Sequence, residues 1–380
     1  MSFIAWQMLT ADRAKYLGLI FAIAFSTFLM SHQISIFFGL MDRTRSQIVD
    51  VRDADIWVMD PRTEYIDEVK TLPDQDLYRV RGVAGVHWAV PLLKSTARAK
   101  VHTDGKFRAV ILMGLDDGSL VGAPRSMALG SFESLRDPQS IIIDRVGYKY
   151  FFPDEPLAIG KQIEVNDRIL RIVGICNSAA PFVNIPVAYT RYSIALDLVG
   201  RERNLMSFIV AKPAPGLAET EVARRITEKT NLRALTADAF GWETIWYYVR
   251  NTGIPINFAI TVVVSLIVGM VVAGQTFYLF MLESLKQFGA LKAIGVTNWR
   301  ITGMVLLQAF VSGAIGYCLG IAMTAEFFEA TKDSLDLRGF YLAPQVMAGI
   351  AATVLVIVAL ASFISIRRVA VLEPAVVFRG

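Results

Sequence analysis

Four stretches of this 380-residue chain run without a single Asp, Glu, Lys or Arg over lengths that suit a lipid bilayer. The first runs from Tyr16 to Met41 and the second from Asn251 to Leu282. The third lies between Arg300 and Glu326, and the fourth between Arg338 and Arg367. A helix needs about 20 mostly apolar residues to cross the hydrocarbon core, so each stretch is long enough to span with some tilt. The first run far exceeds the apolar core of a signal peptide and no small-residue cleavage site follows it, so it reads as a retained anchor. The composition agrees: 54% of residues are hydrophobic and 19% charged, against about 25% charged in ordinary soluble domains. The two cysteines, Cys176 in the polar middle and Cys318 inside an apolar run, read as free thiols.

The placement of Lys and Arg in the short loops orients these spans. Arg13 and Lys15 precede the first span; Lys286, Lys292 and Arg300 lie between the second and third, against Glu283 alone. Arg367, Arg368 and Arg379 follow the fourth, against Glu373. Between the third and fourth spans the bias reverses, with Glu326, Glu329, Asp333 and Asp336 outnumbering Lys332 and Arg338. Both termini and the second loop are therefore expected in the cytoplasm, and the large polar block outside it. The predicted layout is a cytoplasmic N-terminal amphipathic segment at 1–15, spans at 16–41, 251–282, 301–325 and 339–366, an outer domain at 42–250, a cytoplasmic loop at 283–300, a short outer loop at 326–338 and a cytoplasmic tail at 367–380. The expected fold class is an α-helical membrane protein with four transmembrane helices and a large extracytoplasmic α+β domain between spans one and two.

The outer block holds 28 Lys and Arg against 27 Asp and Glu, a balance of +1. It has no basic stripe interleaved with aromatics, so nothing marks a nucleic-acid partner. Val69, Leu72, Leu77 and Val80 predict a helix over 67–81, followed by a strand over 86–93. Two alternating runs, 94–102 and 107–115, flank Asp104-Gly105 and predict a hairpin. Further strands are expected at 140–144, 162–165, 169–175, 207–211 and 232–236, with a tight turn at Asn166-Asp167 and an amphipathic helix over 219–230. Strand–helix–strand patterns thus stand at both ends of the block, around a β-rich insert of about 118–200.

Catalytic signatures do not appear. The chain has no G-x-x-x-x-G-K-[ST] phosphate loop and no G-x-S-x-G, and His32, His87 and His102 have no metal-ligand spacing to each other or to a cysteine. No catalytic, cofactor or metal residue is assigned, and the chain reads as a non-catalytic subunit. His32 and Gln33 lie in the outer third of the first span, where an interfacial or interhelical hydrogen bond accounts for them. With no acidic or basic partner inside the spans, an ion-driven transporter is disfavoured. Small residues four apart recur instead: Ser312, Gly316 and Gly320 in span three, Ser265, Gly269 and Ala273 in span two, and Gly18, Ala22 and Ser26 in span one. Such rows let helix backbones approach closely.

The loop Leu282-Glu-Ser-Leu-Lys-Gln-Phe-Gly-Ala-Leu-Lys-Ala-Ile-Gly-Val-Thr-Asn-Trp-Arg300 is short, basic and amphipathic. Phe288, Leu291 and Ile294 are expected on one helical face, and Gly295 supplies a stop. A helix of this kind can fill a groove in a partner, or simply lie at the headgroups.

This loop resembles that of the FtsX/MacB-like permeases of ABC transporters, through Glu283, Lys286, Gly289, Leu291, Lys292, Ala293, Ile294 and Gly295. The tail is similar too: a basic pair, Arg367-Arg368, precedes Glu373-Pro374-Ala375. Gln287 and Ser284 depart from the family's usual glutamate and arginine, and Glu373 replaces its usual aspartate. A lone permease without a fused ATPase looks most like the DevC type. The resemblance implies a porter-like outer domain with an inserted β-rich part, a dimer of permeases, and a separate cytoplasmic P-loop ATPase that binds the ATP, so that the chain itself needs no cofactor. It implies that Glu283, Lys286, Phe288, Gly289, Leu291, Lys292, Ile294 and Gly295 couple to that ATPase, while Gly316, Gly320, Gly269 and Ala273 pack helices. A membrane-fusion adaptor and an outer-membrane duct are further implied partners, in the inner membrane of a bacterium. Two other functions stay open: an FtsX-like mechanotransmitter that activates a periplasmic enzyme, and a four-span sensor.

Overall fold

The computed structural model describes residue 7 and residues 13–101, 105–199 and 206–370. Contacts divide the chain into two units, one formed by Met1–Gly39, Gly253–Lys332 and Phe340–Gly380, the other by Leu40–Thr252 and Asp333–Gly339. Most of the expected N-terminal segment and residues 371–380 of the tail lie outside the described residues, as does the tip of the 94–115 hairpin.

The first unit is helical. Helix α1 (Arg13–Val49) contributes its N-terminal part here and continues without a break into residues of the second unit. The other long helices are numbered after those of the intervening unit: α7 (Ile254–Glu283), α9 (Asn298–Thr331) and α10 (Pro344–Ala370), with the short α8 (Leu285–Ala293) between α7 and α9. Among the described residues, four helices are long and apolar enough to cross a membrane. Each helix satisfies its backbone internally, which is the condition for a helix in lipid. The described first and third helices overrun the charge-free stretches at their ends, because helix geometry does not stop where charge begins. Met30, Phe277, Val305 and Ile350 sit in one shared apolar core. Much of α7 turns a row of valines and isoleucines outward, among them Ile260, Val264, Ile267 and Val271, as a lipid-facing helix does.

The second unit is α+β. Its strands are β1 (Ile56–Met59), β2 (Val86–Lys100), β3 (Arg108–Leu115), β4 (Met127–Gly130), β5 (Ser140–Asp144), β6 (Gln162–Val165), β7 (Arg168–Cys176), β8 (Val187–Arg191), β9 (Phe208–Pro213) and β10 (Arg233–Thr236). They pair in the order β10-β1-β9-β2-β3-β8-β5-β7-β4, and β6 pairs with both β2 and β7. Strands β2, β3, β8, β5, β7 and β6 therefore close into a ring. Asn166 and Asp167, both at positive φ (45° and 63°), make the two-residue turn between β6 and β7, as the sequence predicts.

The helices of this unit are α2 (Asp74–Arg81), α3 (Arg145–Phe151), α4 (Tyr192–Val199), α5 (Glu219–Thr230) and α6 (Ala237–Asn251). Leu77 and Val80 of α2 and Val222 and Ile226 of α5 pack under β1 and β9. Phe240 of α6 meets Trp57 and Phe208, with ring centroids 5.7 and 6.0 Å away. These pieces come from both ends of the block, as expected.

Three local expectations are corrected. The helix expected over 67–81 occupies only Asp74–Arg81, because Pro73 precedes it as N-cap in an extended conformation, and residues before proline are held away from helix. The two strands expected over 86–102 are one, β2, which exchanges partners along its length. Leu92 still pairs with Phe208 of β9, and Leu93 pairs with Gly114 of β3. The segment before the second span, lacking an expected element, forms helix α6, with Thr236 capping it through a bond accepted from Ala239 N.

Candidate functional site

Helix α8 carries most of the residues that the loop motif singles out. Its C-terminus is closed by two backbone bonds, Gly295 N to Lys292 O and Val296 N to Leu291 O, both 3.0 Å. Gly295 stands at φ +91°. This is the glycine-terminated helix end in which a left-handed residue lets the chain double back and satisfy the last carbonyls. The turn requires the glycine, and it fixes where the chain leaves α8 for α9.

The helix is anchored on one side. Phe288 is fully buried in the core of the helical unit, and Leu291 packs against the same core. Gly289 is buried and Lys292 half-buried, while Glu283 is exposed. The side chain of Lys286 lies outside the described residues. Ile294 departs from the expected shared face: the helix ends at Ala293, Ile294 is its C-cap, and its side chain is 78% exposed. Trp299, which the periodicity of the loop does not pick out, is 83% exposed. Ile294 stands beside the glycine stop at the end of α8, and Trp299 lies in the first turn of α9.

The small-residue rows pack within the chain. A Cβ at Gly316 would lie 2.7 Å from Ile23 Cβ, and one at Gly320 2.5 Å from the Ala24 carbonyl oxygen. Gly269 faces Ser26, whose Cβ would be 2.6 Å away, and Ser26 donates to the Ser265 carbonyl at 2.8 Å. Ala273 is buried in the same core. Thus α7 and α9 both approach α1 through their small faces. Ser31 and Thr324 share a 2.6 Å hydrogen bond between α1 and α9. His32 lies among Phe28, Phe327 and Phe328.

The α/β unit contains a cavity of about 640 Å³ where β2 leaves β9 for β3. Lys94, the residue after the change of partner at Leu93, lines it and is 7% exposed. Its ammonium donates to the Ile66 carbonyl at 3.1 Å and to Asp67. Tyr248 donates to the other Asp67 oxygen at 3.0 Å. Ser207 holds the strand crossing together, accepting from Lys94 N at 2.8 Å and donating to Lys94 O at 3.0 Å. Burial pushes the Lys94 ammonium below its ordinary range, with Asp67 opposing the shift. Burial, then the Asp67 charge, pushes the Tyr248 phenol up. These residues come from four separate stretches, so no spacing in the sequence announces them. Among the described residues, no cluster of His, Cys, Asp and Glu is arranged to hold a metal ion.

Apolar helices enough for four crossings, with an α/β domain between the first two in sequence, define a multi-pass membrane protein. Residues 17–229 match the MacB-like periplasmic core domain, and residues 259–374 match the FtsX-like permease C-terminal domain. The first match covers more than half of the chain, and the chain belongs to this family of ABC transporter permeases. It is 27% identical over 312 residues to an uncharacterized ABC transporter permease of Mycobacterium tuberculosis, covering 81% of this chain and 79% of the relative. It is 23% identical over 333 residues to the macrolide export ATP-binding/permease protein MacB of Psychrobacter cryohalolentis, covering 83% of this chain but only 49% of that longer protein. Among solved structures, the periplasmic region of MacB from Actinobacillus actinomycetemcomitans aligns with 54% of this chain and 96% of that one, at 16% identity and a TM-score of 0.37.

Proposed function

We propose that this chain is the membrane permease subunit of an ABC-type exporter in a bacterial inner membrane, driven by a separate cytoplasmic ATPase. The observation that carries this reading is α8: a short helix anchored by Phe288 and closed by Gly295, with Ile294 at its end and Trp299 at the start of α9 both exposed. An ATPase that grips this turn would move a part of the protein rigidly tied to the helical core. In this reading both termini are cytoplasmic and two permease copies work with two ATPase subunits. Cargo is taken up on the outer side and passed through a membrane-fusion adaptor to an outer-membrane duct. The named MacB relatives carry ATP-binding and permease parts in one longer protein. This chain spans about half the length of the MacB relative from Psychrobacter cryohalolentis.

The test is recovery of the tagged chain from its own membrane in mild detergent, with mass spectrometry of its companions. A P-loop ATPase is expected, lost on Ile294→Asp or Lys292→Glu while the chain's abundance and melting temperature hold. Failure to recover any ATPase under several mild conditions would sink the proposal. An adaptor in the same sample decides for export, and a periplasmic enzyme in its place decides for mechanotransmission.

A further inference from the structure

Among the described residues, the charged side chains that line the cavity of the α/β unit are Lys94 and Asp67, and they pair with one another. The lining therefore carries no net charge. Both Asp67 oxygens are taken, one by Lys94 and one by the Tyr248 hydroxyl. The Lys94 ammonium has three donors, of which the Ile66 carbonyl and Asp67 take two. That leaves a single N–H, on a side chain almost wholly removed from solvent, for an oxygen that enters the cavity. Ser95 and Thr96 add hydroxyls along the same strand. The lining also has an apolar part, through Val69, Phe182, Val183 and Ile185.

A volume of this order suits a drug-sized molecule. Its lining selects by charge. A carboxylate or ammonium brought against a pair that is already neutral would be desolvated without a counter-charge, which disfavours it against an uncharged group. A hydroxyl or carbonyl oxygen, in contrast, satisfies the spare donor at no such cost. We propose that this cavity binds an uncharged amphiphile, whose hydroxyl or carbonyl oxygens meet Lys94 and whose hydrocarbon body lies against Phe182, Val183 and Ile185. As a cargo site it rests on the permease reading; the binding itself does not.

The test uses the full chain in lipid nanodiscs without any ATPase, so its failure and that of ATPase recovery are separate events. The probe is a monodecanoyl glycerol bearing a diazirine in its acyl chain, compared with acyl probes of equal length ending in a carboxylate or a trimethylammonium. Cross-linked peptides are mapped by mass spectrometry. Labelling by the neutral probe is expected on the peptides that hold Lys94 and Val183, exceeding that of either charged probe by about tenfold. Ala109→Trp and Thr96→Trp place an indole at lining positions that are themselves exposed, where folding tolerates it. Both are expected to lower that labelling about tenfold while labelling of α7 and α10 stays unchanged. Equal labelling by the three probes, labelling confined to the membrane helices, or indifference to both tryptophans would overturn the proposal.

Discussion

Arg338 donates from Nη1 to the carboxylate of Asp144, and both side chains are nearly sealed from water, at 6% and 1% exposure. The two residues are 194 positions apart. Asp144 ends strand β5, and its other oxygen accepts from Val187 N of β8 at 2.9 Å. Arg338 belongs to the Asp333–Gly339 segment, whose backbone carbonyls at Asp336 and Arg338 accept from the Arg43 guanidinium at 3.2 and 2.6 Å. A buried ion pair adds little net stability against an apolar replacement, but removing one partner strands the other charge.

Arg338→Met and Asp144→Asn are therefore each expected to destabilise the α/β unit by about 3–5 kcal/mol. The double variant should lose clearly less than the sum. A double-mutant cycle on thermal unfolding in detergent checks this, and additive losses would show that the pair is not coupled.

The close approach of α9 to α1 makes a second prediction. Gly316→Val and Gly320→Val insert carbons where Ile23, Ala24 and Thr27 already stand, and overpacking of this kind costs about 1–3 kcal/mol. Gly349, also helical, has open space where its Cβ would go. Gly349→Ala is expected to leave the melting temperature unchanged or raise it slightly. Equal behaviour of the three variants would contradict the packing.

For Lys94, the folded pKa lies below the ordinary value of 10.5 because burial disfavours the ammonium. Between these two values the unfolded chain holds the extra proton, so stability increases with pH across that window. Below the window both states are charged and the burial penalty is at its full size. Relative to an Asp67→Asn, Lys94→Met double variant, the wild-type chain should gain melting temperature as the pH rises toward 10.5. Over that interval the raised phenol of Tyr248 stays protonated in the fold. A flat difference would remove the argument.

Gly295 allows a sharper separation of stability from partner binding. A methyl added to its left-handed backbone would meet nothing within 4 Å, so Gly295→Ala acts through conformation alone. Such a residue in the left-handed region costs about 1–2 kcal/mol. The turn after α8 should loosen, seen as faster amide exchange at Gly295 and Val296, while the core around Phe277 and Met304 keeps its protection. In the reading proposed above, ATPase recovery falls with it.

The membrane helices were legible because a long stretch free of charge suits little besides the interior of a bilayer. The α/β unit was legible where local chemistry decides, as at Asn166-Asp167 and in α5, whose predicted and observed ranges coincide. It was not legible where one strand serves two neighbours. Nothing in residues 86–100 states that β9 gives way to β3 at Leu93, because that exchange depends on β9, more than a hundred residues away. The cavity was hidden for the same reason. Arg338 was visible only as a minority charge in an acidic loop, and its partner, Asp144, only as the end of a predicted strand. Among the loop residues, Phe288 behaves as its spacing suggests, whereas Ile294 escapes the pattern because the glycine after it ends the helix.

The outer unit is not a contiguous length of gene. A fragment cut from residues 42–252 would contain every strand and yet omit Asp333–Gly339, and with it the guanidinium that faces Asp144. In such an excised piece the carboxylate at the end of β5 would have to draw in water or pull its strand apart. A faithful excision of this unit has to carry the seven-residue segment along, joined through a linker.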